Sequence, residues 1–223
     1  MMNTLKKQII LRFGSAPFVC GLIFFLPAGS FKFWQAWVYM GILLLPMFFV
    51  ILYFLKKDPA LLERRLRTKE KEREQSILVY LSNLFFIAGF LLPGFDFRYG
   101  WSHVPVPIVV IVDVIVFSGY VLFFFVMREN SYLSRTVEVD EDQKLITTGP
   151  YAVVRHPMYS GVLLMFLFTP VALGSWWALI PFIPLPLFLL WRIVGEEKVL
   201  LRSLSGYAEY RRQVRFRMIP GIW

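Results

Sequence analysis

Apolar runs about as long as a bilayer is thick recur along this chain, and they constrain it more than any other feature. A hydrocarbon core of about 30 Å needs roughly 20 apolar residues as helix. Such runs occupy residues 13–31, 34–55, 77–95 and 104–127. A fifth, 159–173, is shorter, and a sixth, 176–194, carries Pro181, Pro184 and Pro186. Only Gly174-Ser175 separates these two, so they read as a helical hairpin that need not cross the bilayer fully. Backbone in lipid must satisfy its own hydrogen bonds, which helices do within one segment. The expected fold is all-α: a polytopic integral membrane helical bundle of five to six transmembrane segments, with a C-terminal hairpin and a cytoplasmic C-terminal tail.

Composition supports this. Of 223 residues, 57% are hydrophobic, against roughly 45–50% in soluble domains. The net charge of +9 raises nucleic acid as a partner. The basic residues stand between apolar runs, however, and form no stripe interleaved with stacking aromatics, so nucleic acid is set aside. The single cysteine, Cys20, excludes an intrachain disulfide and a cysteine metal cluster. Lys6, Lys7 and Arg12 precede the first run, which reads as an uncleaved span and not as a signal peptide.

Charge also orients the bundle. If the ends and the even-numbered connections share one side, that side holds every lysine and arginine except Lys32 and Arg98. By the positive-inside rule that side is cytoplasmic, with both termini. The setting expected is the cytoplasmic membrane of a prokaryote. Trp34, Trp37, Trp101, Trp176 and Trp177 fall at the opposite ends of the runs, as interfacial aromatics do. Residues 58–75 are densely charged with both signs. Leu61, Leu62, Leu66 and Ile77 suit one face of a surface helix there, and a solvated connector is the alternative. Two regions follow: 1–128, about four membrane helices with the connector 56–76, and 129–223, the last hairpin and tail, where the chemistry is expected.

Within 129–223 two stretches are unlike topogenic filler. One runs Gln143-Lys-Leu-Ile-Thr-Thr-Gly-Pro-Tyr151 into Val154-Arg-His-Pro-Met-Tyr-Ser-Gly161, and the other is Arg192-Ile-Val-Gly-Glu-Glu-Lys198 followed by Gly206-Tyr207-Ala-Glu-Tyr210. Both lie at the cytoplasmic ends of the hairpin, so they are expected to meet. Pro157 suits the first turn of a helix, whose N-terminal amides favour an anion. His156 and Tyr159, three apart, share a helical face. Glu196-Glu197 abuts a membrane segment, where ionisable groups are costly and suspect of function. Arg192 and Glu196, four apart, suit an intrahelical ion pair. His103 and His156 are the only histidines and lie at opposite faces, so no metal site is expected.

These strings resemble the isoprenylcysteine carboxyl methyltransferase family over about residues 130–223, and the related phospholipid N-methyltransferases share the double glutamate. The resemblance implies an integral membrane methyltransferase using S-adenosyl-L-methionine. It implies cofactor-binding roles for Gln143, Lys144, Leu145, Ile146, Tyr151, His156, Pro157, Met158, Tyr159 and Glu197. Arg192 and Glu196 are expected at the catalytic end, Arg192 meeting a substrate carboxylate. The acceptor is expected to be a lipophilic or lipidated molecule that enters from the bilayer and bears a carboxylate, isoprenylcysteine-like or otherwise. An ionised carboxylate needs no general base, so the protein mainly aligns and desolvates it. The alternative is an NADPH-dependent sterol or steroid reductase. Those enzymes carry a similar string and a tail like Arg215-Phe-Arg-Met-Ile-Pro220, but Glu196-Glu197 fits the methyltransferases better. A non-enzymatic transport or assembly factor would need charges along a path at mid-membrane, where only Asp113 stands.

Overall fold

The computed structural model describes residues 2–66, 73–136, 139–140 and 142–223, with backbone alone at 2–4, 6, 12 and 73–79. It is helical throughout, with no strand among the described residues. The helices are α1 (Met2–Gly14), α2 (Ala16–Ala28), α3 (Trp34–Lys57), α4 (Pro59–Leu66), α5 (Arg73–Tyr99) and α6 (Val106–Glu129), then α7 (Pro157–Leu167), α8 (Thr169–Ala172), α9 (Leu179–Phe182), α10 (Leu185–Ser203) and α11 (Tyr207–Gln213). A 3₁₀ turn, Gly149–Ala152, precedes α7.

Among the described residues, five stretches are long and apolar enough to span a bilayer: Lys7–Ala28, Trp34–Lys57, Tyr80–Tyr99, Val106–Glu129 and Leu179–Ser203. This is an integral membrane protein. Large apolar side chains on these helices point outward, among them Leu45, Phe49 and Leu52 on α3 and Val110, Ile111 and Val114 on α6. Lipid, not water, is the solvent that suits such faces.

The last hairpin shows why the count falls at five long stretches. Its first arm, Pro157–Ala172, is apolar but short. It is interrupted at Phe168, just before Thr169-Pro170, where proline cannot donate to the helix ladder. Its second arm is interrupted between α9 and α10 at Pro184, which caps α10 while Pro186 sits in the first turn. Proline at that position removes a donor that had no helical partner anyway. In the connector expected at 58–75, α4 covers its first part. Asp58 caps it, accepting from the Leu61 N–H at 3.0 Å, and Leu61 and Leu62 are buried. The remainder, with Ile77, lies outside the described side chains.

Contacts group the chain into two units. The first comprises Met1–Val50, Leu84–Phe117 and Phe166–Ile183. Its core is aromatic. Phe24 meets Tyr39 edge-on with centroids 5.9 Å apart, and Phe86 meets Phe166 and Phe182 likewise at 4.9 and 5.4 Å. The buried Asp96 carboxylate accepts from the Ser102 amide (2.7 Å) and hydroxyl (2.5 Å), and from the Ser175 hydroxyl. Such charge-assisted bonds tie the end of α5 to the turn before α9. All five tryptophans expected at one interface belong to this unit.

The second unit comprises Ile51–Asn83, Ser118–Met165 and Pro184–Trp223. Here α6 and α7 approach through glycines. A methyl group on Gly119 would stand 2.9 Å from the Gly161 carbonyl oxygen, and one on Gly161 would stand 3.1 Å from that of Gly119. Close backbone approach through small residues is how membrane helices pack without a hydrophobic drive between them. Gly161 closes the Arg155–Gly161 string, so its place there has a packing reason.

Candidate active site

The second unit contains a cavity with about 840 Å³ of empty space, open mouth included. Its lining includes Gln143, Lys144, Leu145, Ile146, Tyr151, His156, Pro157, Met158, Tyr159, Arg192 and Glu196. The two stretches singled out in the sequence thus face one space. Glu197 is not part of the lining.

Each wall follows from local structure. The extended piece from Gln143 ends at Gly149-Pro150, where the 3₁₀ turn delivers Tyr151 inward. The Tyr151 hydroxyl accepts from Asn130 Nδ2 at 3.0 Å, and its carbonyl accepts from the Tyr210 hydroxyl at 2.7 Å. Burial pushes the Tyr151 hydroxyl above the ordinary tyrosine range and that of Tyr210 up to about 12, so both stay protonated. α11 starts at Gly206, whose φ of 81° is left-handed and free of strain only for glycine. That start turns Tyr207 and Tyr210 inward, where they pack with Leu204 against Leu145 and Leu200.

α7 begins at Pro157, as the proline suggested. Just before it, the His156 ring stands between two carboxylates: Nδ1 is 3.9 Å from Glu196 Oε2, and Nε2 is 3.4 Å from Glu197 Oε1. The Tyr159 hydroxyl donates to Glu196 Oε2 at 2.8 Å. Histidine, tyrosine and one glutamate therefore form a connected polar group on the cavity wall. Arg192, half-buried on the same wall, donates from NH2 to the Arg135 carbonyl at 2.8 Å.

Adjacent residues on a helix point about 100° apart, and the glutamates divide accordingly. Glu196 is on the cavity wall, with 27% of its side chain exposed. Glu197 is buried beneath and pairs with Arg155 Nε at 2.7 Å and Arg217 Nε at 2.9 Å. The tail completes this layer. The Arg155 and His156 amides donate to the carbonyls of Phe216 (3.0 Å) and Arg217 (2.7 Å). Arg155 NH1 reaches the Val214 and Arg215 carbonyls, each at 2.7 Å, and the Ser160 hydroxyl reaches that of Met218 at 2.6 Å.

Sequence reasoning gave no role to Asn130, Tyr132, Ser134, Arg135 or Thr136, which also line the cavity. They follow α6 directly, and that position was their only signal. The arginine-rich tail was noticed, but not as a partner of Glu197.

The cavity is polar and is carried by a unit of largely apolar helices. Residues 109–206 match the model of the phospholipid methyltransferase family. Methyltransferases of that family use S-adenosylmethionine. No individual curated protein matches the chain. The donor set fits that cofactor. Glu196 suits an ammonium or ribose hydroxyls, Lys144 and the arginines suit a carboxylate, and Leu145, Ile146 and Leu200 suit an adenine face. Tyrosine faces suit a sulfonium, as they suit other onium ions.

Proposed function

We propose that this protein methylates the carboxylate of a lipophilic acceptor, isoprenylcysteine-like or of similar build, using S-adenosyl-L-methionine. The observation that carries this reading is that Arg192 shares one cavity with the connected His156, Tyr159 and Glu196. A planar guanidinium orients a carboxylate through paired hydrogen bonds. Bound S-adenosylmethionine supplies an electrophilic methyl group on a sulfonium. Gln143, Lys144, Leu145, Ile146, Tyr151, His156, Pro157, Met158 and Tyr159 hold the cofactor, and Glu196 supplies the cavity's negative charge. Glu197 serves from beneath by fixing Arg155 and His156. The acceptor carboxylate is already ionised at neutral pH. The remaining task is alignment and exclusion of water, worth several powers of ten in rate when geometry is right.

Residues 129–223 form the catalytic region in this reading, and 1–128 carry it in the membrane. Both termini and the cavity face the cytoplasm, as the distribution of basic residues supports. The membrane is the cytoplasmic membrane of a prokaryote, and the acceptor enters from the bilayer.

The family description favours a second reading, methylation of a lipid amine. Transfer of labelled methyl to a prenylated cysteine and to phosphatidylethanolamine separates the two. A methyl ester releases its label as methanol in alkali, whereas an N-methyl group keeps it. Label that resists alkali would replace the carboxylate reading. Thermal stabilisation by S-adenosylhomocysteine, and not by NADPH, tests the cofactor itself.

A further inference from the structure

Arg65 lies on α4, outside the segment that matches the methyltransferase family. Its NH1 donates to the Ser134 carbonyl at 3.1 Å and stands 3.4 Å from Met158 Sδ. Both of those residues line the cavity. Its guanidinium also stacks 5.3 Å from the Phe123 ring centroid.

What Arg65 lacks is a counter-charge. A guanidinium carries five N–H donors. Among the described residues, NH1 alone is hydrogen-bonded, and no carboxylate is within ion-pair range. Its neighbour Arg64 is placed differently, paired with Asp140 at 2.7 Å. Burial lowers the proton affinity of Arg65, although arginine keeps its charge. A charge taken partly out of water without a partner is costly. Holding one carbonyl does not require that charge.

The cavity shares this imbalance. Arg135, Lys144 and Arg192 line it, and among the described residues Glu196 is the one carboxylate in its lining. The charge of Arg155, also in the lining, is met by Glu197. Arg65 holds Ser134 while Arg192 holds the next carbonyl, that of Arg135. Two guanidinium groups thus hold two consecutive residues of one wall, the second of which is itself an arginine.

We infer that Arg65 is a specificity-determining residue, which with Arg135 and Arg192 makes this wall accept the anionic head group, carboxylate or phosphate, of an amphiphilic acceptor. The inference rests on reading the cavity as the acceptor's site. Arg65 acts through Ser134 and Met158 and through its field, and does not itself touch the acceptor.

The test measures binding to detergent-solubilised full-length protein saturated with S-adenosylhomocysteine. The probes are a farnesylated N-acetylcysteine, its carboxamide, dodecyl phosphate and dodecanol. Wild type is expected to favour each acid over its neutral counterpart. In Arg65→Met that preference should fall about ten-fold, the factor that ~1.4 kcal/mol makes. Arg65→Lys should restore part of it, and S-adenosylhomocysteine affinity should change less than the preference for acids does. Should Arg65→Met fail to fold, Arg65→Gln and Arg65→Lys carry the same comparison. Preference for the phosphate alone, lost in Arg65→Met, would sink the carboxylate acceptor and keep the role of Arg65. Preference for the carboxylate unchanged in the variants would sink the role of Arg65 and keep the acceptor. A wild type that does not distinguish acid from neutral would overturn both.

Discussion

Arg217 Nε stands 2.9 Å from Glu197 Oε2, so a side chain of the tail closes onto a buried carboxylate of α10. Arg155 closes the other oxygen of the same carboxylate at 2.7 Å. The carboxylate therefore belongs to the frame of the site, one layer beneath the cavity. This relationship sets the order in which substitutions should act.

Glu197→Gln keeps the shape and removes the charge. Two guanidinium groups are then left over a neutral amide, and breaking a buried pair this way costs about 3–5 kcal/mol. Arg217 is 25% exposed at its side chain, so the lower end is expected. The readout is the thermal unfolding midpoint in detergent, which should drop by several degrees with or without cofactor product. An unchanged midpoint together with weaker S-adenosylhomocysteine binding would put Glu197 in the cavity instead.

Glu196→Gln should behave in the opposite way. Its carboxylate accepts from Tyr159 on the cavity wall. Loss of a charged hydrogen bond to ligand costs about 1.5–3 kcal/mol. Isothermal titration should therefore show S-adenosylhomocysteine affinity falling by about ten-fold or more, with the midpoint of the free protein nearly unmoved. Equal affinity in variant and wild type counts against Glu196 as the cavity's working carboxylate.

Gly161→Val tests the helix crossing without altering any polar side chain. The first carbon alone would stand 3.1 Å from the Gly119 carbonyl. Overpacking of this sort typically costs about 1–3 kcal/mol. The variant should lose stability and should lose cofactor affinity only as α7 shifts. Wild-type stability would mean that the helices part at no cost.

Topology can be read by labelling single cysteines in a background lacking Cys20. Lys57→Cys and Glu209→Cys occupy exposed positions and should react with an impermeant reagent only from the cytoplasmic side. Lys32→Cys should react only from the opposite side. Labelling of Glu209→Cys and Lys32→Cys from one side would reverse the orientation of the last hairpin.

The helices were legible in the sequence because lipid imposes a length rule, and 34–57 or 106–129 obey it with little ambiguity. The shortness of the fifth run was legible as well, and so was the interruption near Pro184, since proline acts locally. The division between Glu196 and Glu197 was not. Two identical side chains 100° apart look alike until the packing of α10 chooses a face. The tail was less legible still. Its grip on Arg155, His156 and Ser160 is made through the backbone carbonyls of Val214, Arg215, Phe216, Arg217 and Met218, which every residue type provides. Arg65 was hidden for another reason: in a connector rich in both signs, only coordinates show which charge goes unanswered.

The bonds between Arg155 and the tail join residues 59 and 60 positions apart, the later partners near the end of the chain as read. During synthesis at about 5–20 residues per second, the Arg155–Ser160 turn leaves the ribosome several seconds before its partners do. Through that interval the membrane helices can insert while the turn stands without its clasp. In the proposed reading, the cofactor gains a firm hold only after residues 214–218 have emerged and closed on that turn.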